Sequence, residues 1–237
     1  MEKGHSLGKI MDKTFALDDM FKYSSKFEPS FDGLVLTIDN FYEDPDKLHD
    51  WIDSQSYPYW KYNPERVESS NSKVYNDCRL VYTVAHPTRT YYNEMERVLN
   101  LCREHWWKHN YTWDKIYEVN CFQTITEFDP KMQHYPHTDS EFNTPDDRAT
   151  LNMLVYLDKE ENGGTAVYDG EWISNDESMH MLYPVEERFT IERIIPAKYN
   201  RCVIFPGNRL HGGYIEDYKK YSGDKWRYTN VQFFHPN

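Results

Sequence analysis

The chain reads as a mainly β domain with supporting α-helices confined to its N-terminal part, and three observations carry that reading. From Tyr117 onward, eight short strand-like segments follow one another: Tyr117–Phe128, His137–Asp139, Thr150–Leu157, Thr165–Tyr168, Phe189–Ile195, Arg201–Phe205, His211–Ile215 and Trp226–Phe234. Turn signals separate them, among them Asp129-Pro130, Asn162-Gly163-Gly164 and Pro206-Gly207. Helical periodicity occurs only before this run. An aromatic content of 16%, rich in Tyr, suits pleated surfaces more than helices. Alternating strands of this number close most naturally into a jelly roll, the double-stranded β-helix. With 237 residues and no repeat, linker or low-complexity tract, one such domain is expected over residues 31–237, preceded by an arm or short helix over 1–30.

The elements follow in order. Residues 1–30 show no sustained period, with a short helix conceivable around Leu17–Tyr23. Leu34-Val35-Leu36-Thr37-Ile38 is strand-like, and Asp44-Pro45 then supplies a cap and a first-turn proline for a helix to about Ser54. Leu48, Trp51 and Ile52 fall on one face of it, ready to lie on a sheet. Tyr57–Asn76 has no period and reads as a long loop, either a lid or binding edge or a plain surface excursion. Thr88 opens a strong helix to about His109, whose stripe of Tyr92, Met95, Val98, Leu99, Cys102 and Trp106 should brace the barrel from outside.

Composition limits the function classes. A net charge of -12 argues against a surface that grips a nucleic-acid backbone, leaving room only for a local basic patch. Apolar runs such as Leu151–Leu157 are strand-sized, so no membrane span is expected. The four cysteines have no short pair spacing and no signal peptide opens the chain, which points to a reduced, cytoplasmic protein.

Candidate chemistry sits in His134-Tyr135-Pro136-His137-Thr138-Asp139-Ser140. On an extended segment, residues two apart face the same side, so His137 and Asp139 can bind one metal ion. His211 is the best third ligand. Two histidines and one carboxylate form the facial set that leaves positions open on non-haem Fe(II), which makes these three the candidate metal-binding and catalytic residues. His134 lies three before His137, off that face, and reads as a bystander. Asn152, Leu154 and Tyr156 share one strand face, and an inward Asn152 asks for a partner.

The order His137-X-Asp139, the Gly163-Gly164-Thr165 turn after Leu154–Asp158, His211 after Phe205-Pro206-Gly207, and Arg227 on the last strand resembles the Fe(II)/2-oxoglutarate-dependent oxygenases. The resemblance runs from about Tyr117 to the C-terminus and lies nearest the prolyl-4-hydroxylase-like branch, including its small members. It implies a dioxygenase that uses Fe(II), 2-oxoglutarate and O2 to hydroxylate a peptide or protein side chain or a small molecule, releasing succinate and CO2. Arg227 can clamp the far carboxylate of 2-oxoglutarate, with Thr229 on the same strand face adding a hydroxyl. The resemblance implies such an Arg-X-Ser/Thr pair, and implies Tyr156 as a further donor to that carboxylate. A core tyrosine satisfied by backbone is the alternative. His211 and Arg227 are sixteen residues apart, longer than in that branch, so Arg209 and Arg201 compete for the role, with Arg227 ahead. The intervening Glu216–Lys225 reads as a hairpin loop, and Phe142–Arg148, with Tyr57–Asn76, is where substrate contacts are expected. Two other readings stand beside this one: a non-catalytic cupin-like protein binding a metal or small acid, which would more often carry three histidines and a glutamate, and an interaction protein that merely retains the barrel.

Overall fold

The structure is a computed structural model and describes residues 21–53, 60–62, 75–83, 89–106, 111–113, 117–124, 132–133, 136–170, 183–184, 189–221 and 225–236. The chain enters through a hairpin of β1 (Glu28–Phe31) and β2 (Leu36–Asp39). Its turn is built by Asp32, whose carboxylate accepts from the amides of Leu34 and Val35 at 3.0 and 2.9 Å, and by Gly33 at φ +96°. Helix α1 (Pro45–Asp53) begins as its sequence dictates: Asp44 Oδ1 accepts from the Lys47 amide at 3.1 Å, with Pro45 in the first turn. Helix α2 (Arg89–His105) follows.

Two sheets form the body. The larger runs β1-β2-β12-β8-β14-β6-β4-β3, where β3 is Trp60–Tyr62, β4 Tyr75–Thr83, β6 Tyr117–Thr124, β8 Leu151–Tyr156, β12 Arg201–Pro206 and β14 Arg227–Pro236. A short β5 (Tyr111–Trp113) pairs with the end of β14. The smaller sheet has β9 (Gly164–Gly170) between β11 (Phe189–Pro196) and β13 (His211–Tyr214). A bridge between His137 and His211 extends it, and β7 (Met132–Gln133) pairs with β10 (Tyr183–Pro184) nearby. The chain crosses between sheets from β8 to β9, β11 to β12, β12 to β13 and β13 to β14. That weaving is the double-stranded β-helix.

Alternation along the strands assigns the two faces of the large sheet. Leu151, Met153 and Val155 of β8 and Cys202 and Ile204 of β12 point outward, where they bury against Leu48 and Ile52 of α1 and Met95, Val98, Leu99 and Cys102 of α2. Each such side chain contributes about 1.5–3 kcal/mol on burial, so this layer holds both helices to the sheet. Tyr156, Val203 and Phe205 point the other way, against Val167 and Ile195 of the small sheet. The functional interior lies between the sheets.

Several expectations change. The stretch read as an arm is described from Phe21 and packs on α2: Tyr23 Oη donates to Met95 Sδ at 3.1 Å, Arg97 donates to the Ser24 carbonyl at 2.9 Å, and its guanidinium lies 3.7 Å from the Phe27 ring centroid. It ends in a strand, β1, whose Pro29 is tolerated because β1 is a sheet edge. The supposed loop Tyr57–Asn76 contains β3 and the start of β4, which continue the large sheet beyond β6; residues 54–59 and 63–74 lie outside those described. Helix α2 ends at His105, four residues early, and the capping position Thr88 lies outside the described residues. The Glu216–Lys225 loop holds a short 3-10 helix, Tyr218–Tyr221, in place of a hairpin. Among the described residues no helix is long and apolar enough to cross a membrane.

Candidate metal centre

Backbone pairing brings the first two candidate ligands together. His137 and His211 exchange both amide-to-carbonyl hydrogen bonds at 3.0 Å, which makes them direct cross-strand neighbours, and their ring centroids lie 4.4 Å apart. The following turn places the third: the amides of Asp139 and Ser140 both donate to the Gly207 carbonyl, at 2.7 and 3.1 Å, and the Gly207 amide donates to Thr150 O at 2.7 Å. A glycine at position 207 makes room for this approach. A Cβ there would sit 2.8 Å from Asn152 Oδ1, 3.0 Å from Thr150 O and 3.3 Å from Asp139 Cβ. The outcome is that one ligand atom from each of His137, Asp139 and His211 lies within 4.8 Å of the other two. These atoms could hold one ion.

Electrostatics prepare the group. Asp139 Oδ2 lies 3.0 Å from His211 Nε2, and Asp139 Oδ1 3.9 Å from His137 Nε2. Burial alone would raise the Asp139 pKa, but the hydrogen bond and charge of His211, the charge of His137 and the Asn152 amide outweigh it and push it down to about 2. The carboxylate therefore stays anionic. Asn152 Nδ2 donates to Asp139 Oδ2 at 2.6 Å and lies 3.2 Å from His211 Nε2. On the far side of the ring, His211 Nδ1 is 2.8 Å from the Arg209 carbonyl, an acceptor only, which assigns a proton to Nδ1 and makes Nε2, the nitrogen facing Asp139, the one that would bind a metal in place of its own proton. The Phe205 ring stands edge-on to His211 at 5.0 Å and gives the site an apolar wall.

Along the same interior face lies a second polar group. Register across the large sheet sets Arg201, Tyr156 and Thr229 on one rung, with Arg227 two residues before Thr229. Tyr156 is buried, and its hydroxyl meets Thr165 Oγ1 at 2.8 Å, so its partner is a side chain and not backbone. Burial raises its pKa to about 12, keeping the phenol neutral. Thr229 Oγ1 is buried with no hydrogen-bond partner among the described residues, and so is Asn152 Oδ1. The three competing arginines separate clearly. Arg201 holds Asp39 through Nε and Nη2 at 2.7 and 3.1 Å, and Arg209 holds Asp146 at 2.6 Å. Arg227 has no carboxylate partner among the described residues; its Nη2 donates to the Gly164 carbonyl at 3.0 Å.

The structure thus brings His137, Asp139, His211 and Asn152 into one cluster and Arg227, Thr229 and Tyr156 into a second group further along the same interior face. His134 lies outside the described residues. Asn152 was expected as a cofactor contact, yet its amide nitrogen is directed at the candidate metal ligands. Thr165 and Gly207 are not among the site residues expected from sequence, although both lie in the Gly163-Gly164-Thr165 and Phe205-Pro206-Gly207 motifs read there.

No protein-family model and no curated protein matches the sequence. Among solved structures, the chain is similar to the non-heme alpha ketoglutarate dependent epimerase SnoN from nogalamycin biosynthesis, with a TM-score of 0.52 and 13% identity, covering 95% of this chain and 83% of that one. It is also similar to HygX from Streptomyces hygroscopicus, solved with nickel, 2-oxoglutarate and hygromycin B bound, with a TM-score of 0.54 and 10% identity over 95% of this chain and 87% of that one. At these identities the likeness is one of fold, and the chain shares with both proteins the double-stranded β-helix.

Proposed function

We propose that this chain is a non-haem Fe(II)- and 2-oxoglutarate-dependent dioxygenase that hydroxylates a peptide or protein side chain or a small molecule. The observation that carries the reading is the convergence of His137, Asp139 and His211 within 4.8 Å. Two imidazoles and a carboxylate match the facial donor set of Fe(II) oxygenases, whereas a cupin set of three histidines and a glutamate is not assembled among the described residues. The second group fits an organic dianion. Among the described residues Arg227 lacks a carboxylate partner and the buried Thr229 hydroxyl lacks any, so a carboxylate there would satisfy both. The titles of SnoN and HygX, which name alpha ketoglutarate or 2-oxoglutarate, support the same co-substrate.

When bound, iron and 2-oxoglutarate supply O2 activation coupled to decarboxylation, giving succinate, CO2 and a hydroxylated substrate. The chain's own residues do the holding. Asp139 offers a permanent anion, and Asn152 fixes its Oδ2. His211 presents Nε2 because the Arg209 carbonyl holds the opposite nitrogen. Arg227 and Thr229 would bind the far carboxylate, beside the neutral Tyr156 phenol. Val167, Val203 and Phe205 keep water out of the space between the sheets. Nearness to the prolyl-4-hydroxylase-like branch rests on motif order and on Tyr156 alone, because the His211-to-Arg227 spacing departs from it.

Anaerobic addition of Fe(II) and 2-oxoglutarate should produce a visible metal-to-ligand charge-transfer band, and admission of air with ascorbate should yield succinate. His137→Ala should abolish both. No band, no 2-oxoglutarate binding and an unchanged iron content in His137→Ala would sink the proposal.

A further inference from the structure

One step past the end of β8, the large sheet sets an aspartate against the arginine assigned to 2-oxoglutarate. Tyr156 pairs with Thr229, and beyond it the Leu157 amide donates to the Tyr228 carbonyl at 3.0 Å, so the next positions to face each other are Asp158 and Arg227. Residues opposite one another on antiparallel strands share a face, and opposite charges there attract. These two form no ion pair. Arg227 Nη2 donates to the Gly164 carbonyl at 3.0 Å. Asp158, only 4% exposed, turns elsewhere: its Oδ1 accepts from the Glu160 amide at 3.0 Å and its Oδ2 from the Tyr221 hydroxyl.

Tyr221 is placed for this by its loop. It ends the 3-10 helix Tyr218–Tyr221, and its side chain is fully buried. The loop ahead of it is fastened to the β8–β9 connection by the buried Asn162, whose Nδ2 donates to the Asp217 carbonyl at 2.7 Å and whose Oδ1 accepts from the Asp217 amide at 3.0 Å. Burial, and next the Asp158 charge, raise the Tyr221 pKa, while the Arg227 charge pulls the other way. The phenol therefore stays a donor, within electrostatic reach of both members of the pair that does not close. Among the described residues no cation pairs with Asp158: Lys220 and Lys225 go to Glu160, at 3.9 and 3.8 Å. A buried carboxylate without a cation is costly unless hydrogen bonds fill its lone pairs, and the Tyr221 O–H fills one. Without that hydrogen bond, the cation across the rung is the partner at hand.

We propose that Tyr221 is a positioning residue for the co-substrate: its hydroxyl occupies Asp158 and so keeps the Arg227 guanidinium open to the far carboxylate of 2-oxoglutarate. The identity of that ligand rests on the dioxygenase reading, whereas the diversion of Asp158 does not. If Tyr221 and Asp158 merely tied two loops together, losing either partner would do the same harm. If Asp158 competes for Arg227, the two losses oppose each other, because Tyr221→Phe releases the competitor and Asp158→Asn removes it.

Calorimetry of 2-oxoglutarate binding to the full-length, Ni(II)-loaded protein reads the effect. Phenylglyoxal labelling of Arg227 in the ligand-free protein, followed by peptide mass spectrometry, gives a readout that needs no co-substrate. Tyr221→Phe should weaken 2-oxoglutarate about tenfold or more and slow Arg227 labelling, with Ni(II) affinity unchanged. Asp158→Asn, which keeps an acceptor oxygen, should bind 2-oxoglutarate at least as tightly as wild type, and the Asp158→Asn/Tyr221→Phe double variant should return to within about threefold of it. The proposal is overturned if Tyr221→Phe keeps wild-type affinity and labelling, if Asp158→Asn weakens binding as Tyr221→Phe does, or if the double variant is no better than Tyr221→Phe. Should wild type bind no 2-oxoglutarate while labelling falls in Tyr221→Phe and recovers in the double variant, the dioxygenase reading fails and the diversion of Asp158 stands. Tight 2-oxoglutarate binding that ignores all three variants rejects the positioning role alone.

Discussion

Arg201 and Arg227 flank the same tyrosine on the same inner face of one sheet, and they do opposite things. Arg201 stands across from Tyr156 on β12 and closes a two-pronged ion pair with Asp39, which Lys198 joins at 2.9 Å. Arg227 approaches from β14, with its guanidinium 6.0 Å from the Tyr156 ring centroid, and makes one bond to a backbone carbonyl. A guanidinium has five N–H donors. Those of Arg201 fasten the β1–β2 hairpin to the sheet, whereas most of those of Arg227 have no partner among the described residues. Location on an interior face therefore does not identify a ligand-binding arginine. Donors left over after the protein's own partners are counted do.

Four experiments break or sharpen this contrast. The largest effect is expected from Arg227→Met, which should lower 2-oxoglutarate affinity roughly 10- to 150-fold by calorimetry, the loss of a charge-assisted bond of about 1.5–3 kcal/mol, with the thermal midpoint of the metal-free protein almost unchanged. Arg201→Met should do the reverse: about 1–3 kcal/mol less stability in urea unfolding, and 2-oxoglutarate affinity within about threefold of wild type. Equal affinity losses in the two variants would erase the distinction.

A pH series follows from the same pair. The Arg201 hydrogen bond holds the Asp39 carboxyl below its ordinary 3.8, against the opposing effect of burial and with help from Lys198. A depressed carboxylate pKa contributes stability that is complete above the unfolded value and is lost as pH falls through the folded one. The stability gap between wild type and Arg201→Met should thus be constant above about pH 5 and shrink below pH 3.8 in parallel urea titrations. A gap that persists at the lowest pH would mean that packing of the arginine stem, not charge, fastens the hairpin. The smallest effect belongs to Thr229→Val, which should weaken 2-oxoglutarate about two- to tenfold. Stability should stay level or rise by up to about 1 kcal/mol, since a buried hydroxyl without a partner is removed.

How much of this was legible beforehand varies with how local the cause is. Met95, Val98, Leu99 and Cys102 mark the stripe of α2 in sequence and are buried as the period requires. The run Leu151–Leu157 declared a strand for the same reason. β4, with Asn76, Asp77 and Arg79 scattered through it, carries no clean alternation, and its state is fixed by pairing with β6 some forty positions on. β1 gave no signal either, since Glu28-Pro29-Ser30-Phe31 becomes a strand by docking on β2. At the site, His137 and Asp139 could be paired by eye because their spacing alone sets a shared side. Choosing among Arg201, Arg209 and Arg227 could not be finished that way, because the deciding partners, Asp39 and Asp146, lie 162 and 63 residues from the arginines they hold.

The sequence by itself determined most of the strands from Tyr117 onward, the stripes that dock the helices, and the chemical types able to bind a metal, all consequences of periods within a single segment. Tertiary structure decided which polar groups are already occupied. Hydrogen-bonding capacity is saturated by whatever neighbour the fold delivers: Asp39 silences Arg201, Asp146 silences Arg209, Asn152 is turned onto Asp139, and Thr229 and Arg227 keep capacity to bind. Those neighbours come from distant segments, and no local pattern carries their identity.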